Sequence, residues 1–318
     1  MKKLLVLSIA ALFIATSCKK VEDEPTGTTS DYKTMTTYMV DNSMDLPDIL
    51  AGWIVAPPEL ANVQTFIDTY DIIDIRSSQD FTTSHIAGAM NSPLADILTA
   101  ATNTTKPILV VCYTGQAAGH AVVALKLSGY DAKVLKWGMS GWRSDLSASW
   151  EGNSGPVNGV TAIGNPSWVT TGTLPLATFS DPDISVSGDG AAMLATRVQE
   201  MLTNGFKGAV NTDVLSSPSN YFINNYWDLV DVDHYGHITG AFRAKPLSIA
   251  GGEMSNMDPS KKLVTYCWTG QTSSMVTAYL NVLGYDAVSL KFGTNGMIYT
   301  ELQSHKFVTP TVDLPIVQ

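Results

Sequence analysis

Residues 108–119 read ILVVCYTGQAAG, a short apolar run followed by a cysteine and a loop of small and polar residues. The run Ile108–Val111 has the length and the β-branched content of a buried strand. Residues 118–127 are apolar enough and long enough for a helix, which Gly129 would end. The sequence therefore places Cys112 at a strand-to-helix turn.

A cysteine at such a turn faces the free N–H groups and the positive dipole end of the helix that follows. Both features favour the thiolate, and N–H groups at the start of a helix also bind anions. We therefore expect Cys112 to have a lowered pKa and to be a nucleophile beside an anion pocket.

The same layout returns in the second half of the chain, where residues 263–274 read LVTYCWTGQTSS. From Cys112 to Gly138, 12 of 27 positions are identical to the segment from Cys267 to Gly293, without a gap. A match of this length indicates a duplicated domain rather than a short structural repeat. The second copy therefore offers Cys267 as a second candidate nucleophile.

The composition of the 318-residue chain fits two domains with packed cores, because 45% of its residues are hydrophobic. The formal charge of −10 makes nucleic acid and anionic lipid surfaces poor partners. The three cysteines and five histidines show none of the spacings that are typical of metal sites. We therefore expect no metal, no cofactor and no nucleic acid to bind.

The first 18 residues resemble the signal peptide of a bacterial lipoprotein. Residues 1–3 are basic, residues 4–15 are apolar, and two small residues precede Cys18. Because 12 apolar residues are too few for a typical membrane span, we expect cleavage and lipidation at Cys18. The protein would then be anchored in the cell envelope of a Gram-negative bacterium, in the outer membrane, facing either the periplasm or the outside. An ordinary signal peptide with an incidental cysteine is the alternative.

Shifts in composition divide the rest of the chain. The predicted order is a signal peptide (1–18), a flexible tether (19–31), a first domain (32–149), a connector (150–189), a divergent second domain (190–306) and a tail (307–318). The connector is rich in Gly, Ser, Thr, Pro and Asn, and we expect it to pack on the surface as short strands or hairpins.

Apolar spacing predicts one helix over residues 32–50 that ends near Pro47, and a second over residues 190–204. The segment YDIIDIR at 70–76 is predicted as a buried strand. Residues 227–232, WDLVDV, are taken as its counterpart in the second copy. This alignment matches Arg76 with Asp233 and shortens the aspartate-to-histidine spacing from 11 residues to 6.

Four ordered motifs in the first copy resemble the rhodanese family of sulfurtransferases. These are DIR at 74–76, HIAGAMNSP at 85–93 after Phe81, the cysteine loop, and WGMSGW at 137–142. The resemblance covers roughly residues 53–142. It implies two rhodanese-like α/β domains, each a parallel sheet flanked by helices and joined by the long connector. It also implies that Asp74, Arg76 and His85 have structural roles. His120 lies eight residues, about two helical turns, after Cys112 and is therefore too far along its helix to act directly.

The resemblance implies a sulfurtransferase that takes sulfane sulfur from a donor such as thiosulfate onto a cysteine persulfide. A thiol or cyanide would then accept the sulfur, so the expected partner is a small sulfur-containing anion or thiol. Cys112 is the first choice as catalytic residue because its copy has the full motif set, and Cys267 is the second. Backbone amides of the two loops would hold the sulfur and the anion: Tyr113, Thr114, Gly115, Gln116, Ala117 and Ala118, and Trp268, Thr269, Gly270, Gln271, Thr272 and Ser273.

Three alternatives remain. A phosphatase or arsenate reductase of the same fold would need an arginine six positions after cysteine, where Ala118 and Ser273 stand. Many sulfurtransferase relatives carry an arginine at the fifth position after the cysteine, where this chain has Ala117 and Thr272. Because that positive charge is missing, we expect a highly charged donor such as thiosulfate to be a poorer substrate here. A catalytically weak binding or redox-sensing module is the second alternative. A disulfide between Cys112 and Cys267 is the third.

Overall fold

Two parallel β-sheets, one in each half of the chain, organise the structure. The computed structural model describes residues 30–318. The predicted signal peptide, its Cys18 and the tether up to residue 29 lie outside the described residues. The predicted fold class is confirmed, because helices flank both parallel sheets.

The first sheet has five parallel strands in the order β1-β5-β4-β2-β3. Its central strand β4 is buried along its whole length, as expected of an apolar run in a parallel sheet. The strands are β1 (Ile54–Val55), β2 (Asp71–Asp74), β3 (Met90–Asn91), β4 (Ile108–Val111) and β5 (Ala132–Leu135).

The second sheet repeats this arrangement with four parallel strands in the order β7-β11-β10-β8. A separate antiparallel pair joins the connector to the second half, β6 to β9. The strands are β6 (Trp168–Val169), β7 (Gly208–Ala209), β8 (Phe222–Asn225), β9 (His237–Ile238), β10 (Leu263–Tyr266) and β11 (Ala287–Leu290).

Most of the helices are short, and the longest one lies where the sequence predicts a helix over 190–204. They are α1 (Asp31–Asp41), α2 (Leu46–Ile49), α3 (Val63–Thr69), α4 (Ser78–Thr83), α5 (Ile97–Ala101), α6 (Ala117–Leu127), α7 (Met139–Trp142), α8 (Ala148–Glu151), α9 (Gly155–Asn158), α10 (Gly190–Asn204), α11 (Asn211–Ser216), α12 (Leu229–Tyr235) and α13 (Gln271–Val282).

The single helix predicted over residues 32–50 is wrong. Helix α1 ends at Asp41, and Asn42 caps it by donating its side-chain amide to the Tyr38 carbonyl at 2.8 Å. A new helix, α2, starts after Asp45, whose carboxylate accepts from the Leu46 N–H at 2.7 Å. Polar caps thus interrupt an apolar spacing that continues through both helices.

The strand predicted at 227–232 is also wrong, because β8 lies at Phe222–Asn225 and residues 229–235 form α12. Asn225 pairs with the residue before Cys267, as Asp74 pairs with the residue before Cys112. The counterpart of Arg76 is therefore Trp227 rather than Asp233. The spacing to the histidine is then 12 residues against 11, so this edge is not shortened.

The two halves share one apolar core. Helix α6 packs against α13, and α1 packs against α10. One continuous cluster of buried side chains includes Met35 and Val122 from the first half and Met193 and Val276 from the second. The helices that follow the two cysteine loops therefore pack against each other.

The connector and the tail both contact the first half. Trp150, at the start of the connector, is fully buried, and its indole N–H donates to the Thr114 carbonyl at 3.3 Å. In the tail, Leu314 is buried, and the Pro315 carbonyl accepts from the Trp142 indole N–H at 2.9 Å. Val317 and His85 form two backbone hydrogen bonds, in which each N–H donates to the other residue's carbonyl at 2.9 Å. Within residues 30–318, no helix has the length and apolar character that a membrane span requires.

Candidate active site

Each candidate cysteine follows the central strand of its sheet. Cys112 comes directly after β4 and Cys267 directly after β10, and helices α6 and α13 begin a few residues later. The side chains are buried, with 6% of Cys112 and 2% of Cys267 exposed. Both are free thiols in the described part of the chain, so the alternative disulfide is not formed.

Backbone N–H groups of the loops point at both sulfur atoms. The Gly115 N–H donates to the Cys112 Sγ at 3.1 Å. In the second copy the Ser273 N–H donates to the Cys267 Sγ at 3.3 Å. The two loops thus present the amide donors that a sulfur anion needs.

The pKa of the Cys112 thiol is raised, which corrects the expectation of a lowered value. Burial is the largest cause, and the charge of Asp74 raises the pKa further. Amide donors at Ala118, Thr114 and Gly115 act in the opposite direction. The lowering effect foreseen from the sequence is therefore present, but desolvation of the sulfur outweighs it.

A tight turn after β5 holds the first loop closed. The Met139 N–H donates to the Cys112 carbonyl at 2.8 Å, and the Ser140 N–H to the Tyr113 carbonyl at 3.0 Å. Gly138 has a φ of +61°, and a Cβ there would lie 2.2 Å from the Cys112 carbonyl oxygen. Only glycine fits this approach.

The second copy repeats the turn. The Thr294 N–H donates to the Cys267 carbonyl at 3.0 Å, and the Asn295 N–H to the Trp268 carbonyl at 3.1 Å. A Cβ on Gly293 would lie 2.2 Å from the Cys267 carbonyl oxygen. Phe292 and Met297 stand where the first copy has Trp137 and Trp142, yet the second loop is held by the same backbone bonds as the first.

The rim of the first site is polar. Arg76 has a structural role, as the resemblance implies: it forms a buried ion pair with Asp74 at 2.6 Å and also donates to the Ser84 carbonyl. Its guanidinium carbon lies 5.2 Å from the centre of the Tyr113 ring. The hydroxyl of Ser77 donates to the Asp80 carboxylate and is the largest cause of the lowered pKa of Asp80, followed by the nearby Tyr113 hydroxyl. Arg76 thus supports the loop and is already paired.

Aromatic rings replace this polar rim in the second copy. Trp227 stands where Arg76 does, and its ring centre lies 4.3 Å from that of Trp268 in the cysteine loop. His305 stacks on Trp268 at 4.9 Å, and Tyr235 meets Trp268 edge-on at 5.5 Å. This difference could not be seen in the sequence alignment, because the alignment matched Arg76 with Asp233 instead of Trp227.

His85 has the structural role that the resemblance implies. Its Nδ1 lies 2.9 Å from the Phe81 carbonyl oxygen, and its ring stacks on the Phe81 ring at 3.9 Å. Its backbone pairs with Val317. These contacts fix the turn before β3.

The predicted loop residues separate into two groups. In the first group, the amides of Thr114, Gly115 and Ala118 lie at the Cys112 sulfur, and the Ser273 amide lies at the Cys267 sulfur. For Tyr113, Ala117, Trp268, Thr269, Gly270 and Thr272 the role in holding the sulfur stays a prediction. The side chain of Gln116 instead reaches the other half, where its Oε1 accepts from the Phe292 N–H at 2.8 Å. Gln271 likewise lies beside Gly115.

This contact between the loops continues along the helices, and nothing in the sequence pattern indicated it. The Ser274 hydroxyl donates to the Gln116 carbonyl and lies 3.0 Å from the His120 Nδ1. His120 is fully buried, and burial, followed by the charge of Lys207, lowers its pKa to about 3. The two cysteine loops therefore form one back-to-back unit with a neutral histidine inside it.

Comparison with known proteins assigns the family. The model described as "Rhodanese-like domain" matches residues 59–145 and 199–297, together more than half of the chain. The chain belongs to the rhodanese-like family. The two matches also confirm that this rhodanese-like chain is a tandem of two copies.

Two curated relatives of this rhodanese-like chain are sulfurtransferases by name. It is 32% identical over 99 residues to the thiosulfate sulfurtransferase GlpE of Pseudomonas fluorescens, covering 30% of this chain and 80% of that protein. It is 34% identical over 96 residues to GlpE of Pseudomonas putida, covering 29% and 86%. A solved thiosulfate sulfurtransferase of Pseudomonas aeruginosa aligns at 14% identity and a TM-score of 0.29, covering 81% of this chain and 46% of that one.

Proposed function

We propose that this protein transfers sulfane sulfur through a persulfide on Cys112 and on Cys267. The observation that carries the proposal is the pair of buried thiols, each at the end of a central strand and each accepting a loop N–H group. GlpE, a relative of this chain, is named a thiosulfate sulfurtransferase. A small anion or thiol is the proposed partner at each site.

In the first half-reaction the cysteine thiolate attacks the outer sulfur of a donor such as thiosulfate. A new S–S bond forms between cysteine and that sulfur, while the S–S bond of thiosulfate breaks. Sulfite leaves with the bonding electron pair as a dianion, and the enzyme keeps a persulfide anion. No proton is needed by the leaving group, so the site needs no acid beside the cysteine.

In the second half-reaction cyanide or a thiolate attacks the outer sulfur of the persulfide. The S–S bond to the cysteine breaks, the product leaves as thiocyanate or as a new persulfide, and the cysteine thiolate returns. Loop N–H groups that already point at the sulfur stabilise its negative charge without reorganisation. Because the pKa of the Cys112 thiol is raised, we expect loading of Cys112 to become faster as the pH rises above 7.

The charge around the loops favours a donor of low charge. Residues 112–119 and 267–274 contain no arginine or lysine, and Asp80 stands at the rim of the first site. A dianion such as thiosulfate would meet amide dipoles but no loop cation. We therefore propose that organic persulfides, whose sulfane group carries at most a single negative charge, load the cysteines faster than thiosulfate does.

Intact mass spectrometry under non-reducing conditions tests sulfur loading. The full chain, purified in detergent, is incubated with thiosulfate or with an organic persulfide, and peptides assign each added sulfur. We expect a gain of about 32 Da on the peptide of each competent cysteine, because each persulfide adds one sulfur atom. Cys112→Ser and Cys267→Ser should each abolish the gain at their own site.

The single variants are matched controls for each other, because each keeps the loop of the other copy intact. Loading of neither cysteine by either donor, while both thiols still react with an alkylating agent, would contradict the sulfurtransferase proposal. That outcome would favour the binding or redox-sensing module instead.

We also propose that a lipid on Cys18 anchors the protein in the cell envelope. The basic start, the apolar stretch and the small residues before Cys18 support this. In a Gram-negative host, the full chain should fractionate with membranes and Cys18→Ala should not. Equal membrane association of the two would exclude a lipid on this residue.

A further inference from the structure

Two buried hydroxyl groups connect the Cys267 sulfur to the backbone of its own loop. The Sγ of Cys267 lies 3.5 Å from the Ser273 Oγ, as a thiol donor. The Ser273 Oγ lies 2.9 Å from the Ser289 Oγ, and the Ser289 hydroxyl donates to the Gly270 carbonyl at 3.4 Å. Both serine side chains are fully buried.

The first copy lacks this chain of hydroxyls. Ser273 and Ala118 both stand six residues after their cysteine. Ser289 on β11 pairs with the residue two before Cys267, and Val134 on β5 pairs with the residue two before Cys112. The protein thus contains two loops of the same fold, one with the hydroxyls and one with apolar side chains in their place.

We propose that Ser273 and Ser289 form a relay that reverses its hydrogen bonds to donate to the Cys267 sulfur whenever this sulfur is a thiolate. This inference rests on the proposed function, because the thiolate attacks the donor in one half-reaction and leaves in the other. It makes Cys267, rather than Cys112, the cysteine with the better stabilised anion. Ser273 is then a catalytic residue, and Ser289 a positioning residue that acts through it.

The reversal needs only the rotation of two hydroxyl groups. With a neutral thiol, the thiol proton points to Ser273, the Ser273 proton to Ser289, and the Ser289 proton to the Gly270 carbonyl. When the thiol proton leaves to solvent, Ser273 turns to donate to the sulfur and Ser289 turns to donate to Ser273. The Gly270 carbonyl keeps a partner, because the Ser274 N–H donates to it at 3.1 Å. No buried group loses its hydrogen bond.

The charged and titratable groups around the sulfur do not compete with the relay. Tyr226, the residue after β8, is near enough for the charge of Cys267 to affect its pKa, and its hydroxyl donates to the Pro246 carbonyl at 2.7 Å. Burial, followed by the charges of Asp228, Asp45 and Cys267, raises the pKa of Tyr226, so the phenol stays neutral near neutral pH. Beyond it, Asp228 is paired with Lys245 at 2.8 Å.

A second difference between the copies acts in the same direction. Asn225 replaces Asp74, whose carboxylate is one of the causes that raise the pKa of Cys112. The sulfur of Cys267 therefore has an amide where that of Cys112 has a negative charge.

The pH dependence of alkylation tests the relay without requiring sulfur transfer. The full chain in detergent is pulsed with iodoacetamide from pH 6 to 10, and peptide mass spectrometry gives the pH midpoint for each cysteine. We expect Ser273→Ala to move the midpoint of Cys267 upward by about one pH unit, since a hydrogen bond to an anion is worth that much. Ser289→Val should move it upward by less.

Three variants show whether a change in the alkylation midpoint comes from the relay or from a general disturbance of the fold. Ser273→Ala reproduces Ala118, so it carries a side chain that the same fold already accommodates. Thr277→Val removes another fully buried hydroxyl from α13 and should leave the midpoint unchanged. The double variant Ala118→Ser with Val134→Ser should lower the midpoint of Cys112.

Sulfur loading is measured on the same samples, which separates the two proposals. If sulfur is loaded but the midpoint of Cys267 is the same in Ser273→Ala and the parent, the relay is wrong and the sulfurtransferase proposal stands. If the midpoint moves but neither cysteine takes sulfur, the relay is present and the sulfurtransferase proposal fails.

Discussion

Replacing Gly138 with alanine is expected to lower the free energy of unfolding by at least about 3 kcal/mol and to stop sulfur loading of Cys112. The new Cβ would lie 2.2 Å from the Cys112 carbonyl oxygen and 2.8 Å from the Gly115 nitrogen. Both atoms belong to backbone that surrounds the sulfur, so the clash cannot be relieved by turning a side chain. The loop must move, and the N–H groups that point at the sulfur move with it. Urea unfolding gives the first effect and intact mass the second.

Gly129→Ala is the matched control. Gly129 also has a positive φ, +87°, but no heavy atom lies within 4 Å of a Cβ placed there. Its substitution should lower the free energy of unfolding by only about 1–2 kcal/mol, because the left-handed backbone is the only source of strain. Equal urea midpoints for the two alanine variants, with sulfur loading of Cys112 retained in Gly138→Ala, would show that the loop tolerates the clash.

Gly293→Ala extends this comparison to the second copy. A Cβ there would lie 2.2 Å from the Cys267 carbonyl oxygen and 2.7 Å from the Gly270 nitrogen. It should abolish loading of Cys267 and spare Cys112 wherever the variant remains folded. The two glycines therefore report on the two loops separately.

The cysteine loops were predictable because their signal is local. A run such as Ile108–Val111 has one low-energy place, the centre of a parallel sheet, and the cysteine that follows must lie at the carboxyl edge. The second loop was then predictable from the internal repeat, because residues 267–293 align with residues 112–138 without a gap. Helix α10 was predictable for the same reason, since its apolar spacing and its Asp189 cap are both local.

Strand β8 escaped prediction because its polar residues are satisfied by distant partners. Asn224 is fully buried, and its side-chain oxygen accepts from the Ala244 N–H at 2.8 Å while its amide donates to the Ala244 carbonyl at 3.1 Å. A sequence window contains no sign of a partner 20 residues away. The segment at 227–232, which was predicted as the strand, looked more apolar, yet Val230 is 72% exposed. Tertiary pairing, not local propensity, decided which segment became the strand.

The chemistry that differs between the two sites was visible in the sequence only as unexplained substitutions. Ser273 for Ala118 and Ser289 for Val134 are 16 residues apart in the chain, and only the packing of α13 on β11 brings them together. The contact between Gln116 and Phe292 spans the two copies in the same way. Sequence spacing identifies a loop, whereas the side chains that tune it come from other elements.

The acid stability of the protein should depend on His120, at the contact between the two copies. Its ring is fully buried, and its Nε2 has no hydrogen-bond partner among residues 30–318. Burial, followed by the charge of Lys207, lowers its pKa to about 3, against about 6.5 in an unfolded chain. Below pH 6.5 the histidine therefore becomes protonated in the unfolded state, while in the folded state it stays neutral until the pH approaches 3. Stability from this group is complete above pH 6.5 and is lost as the pH falls towards 3.

Between pH 7 and pH 4.5, this histidine should account for roughly 2–3 kcal/mol of the fall in unfolding free energy. Urea unfolding at half-unit pH steps measures the fall, and His120→Gln should make it shallower, because glutamine has nothing to protonate. Val122→Ala, also buried in α6, is the control for general weakening of the contact. It should lower stability by a similar amount at every pH and keep the slope of the parent. If His120→Gln also keeps the parent slope, the ring takes up a proton in the folded state, and the contact between the copies is more open to water than its burial indicates.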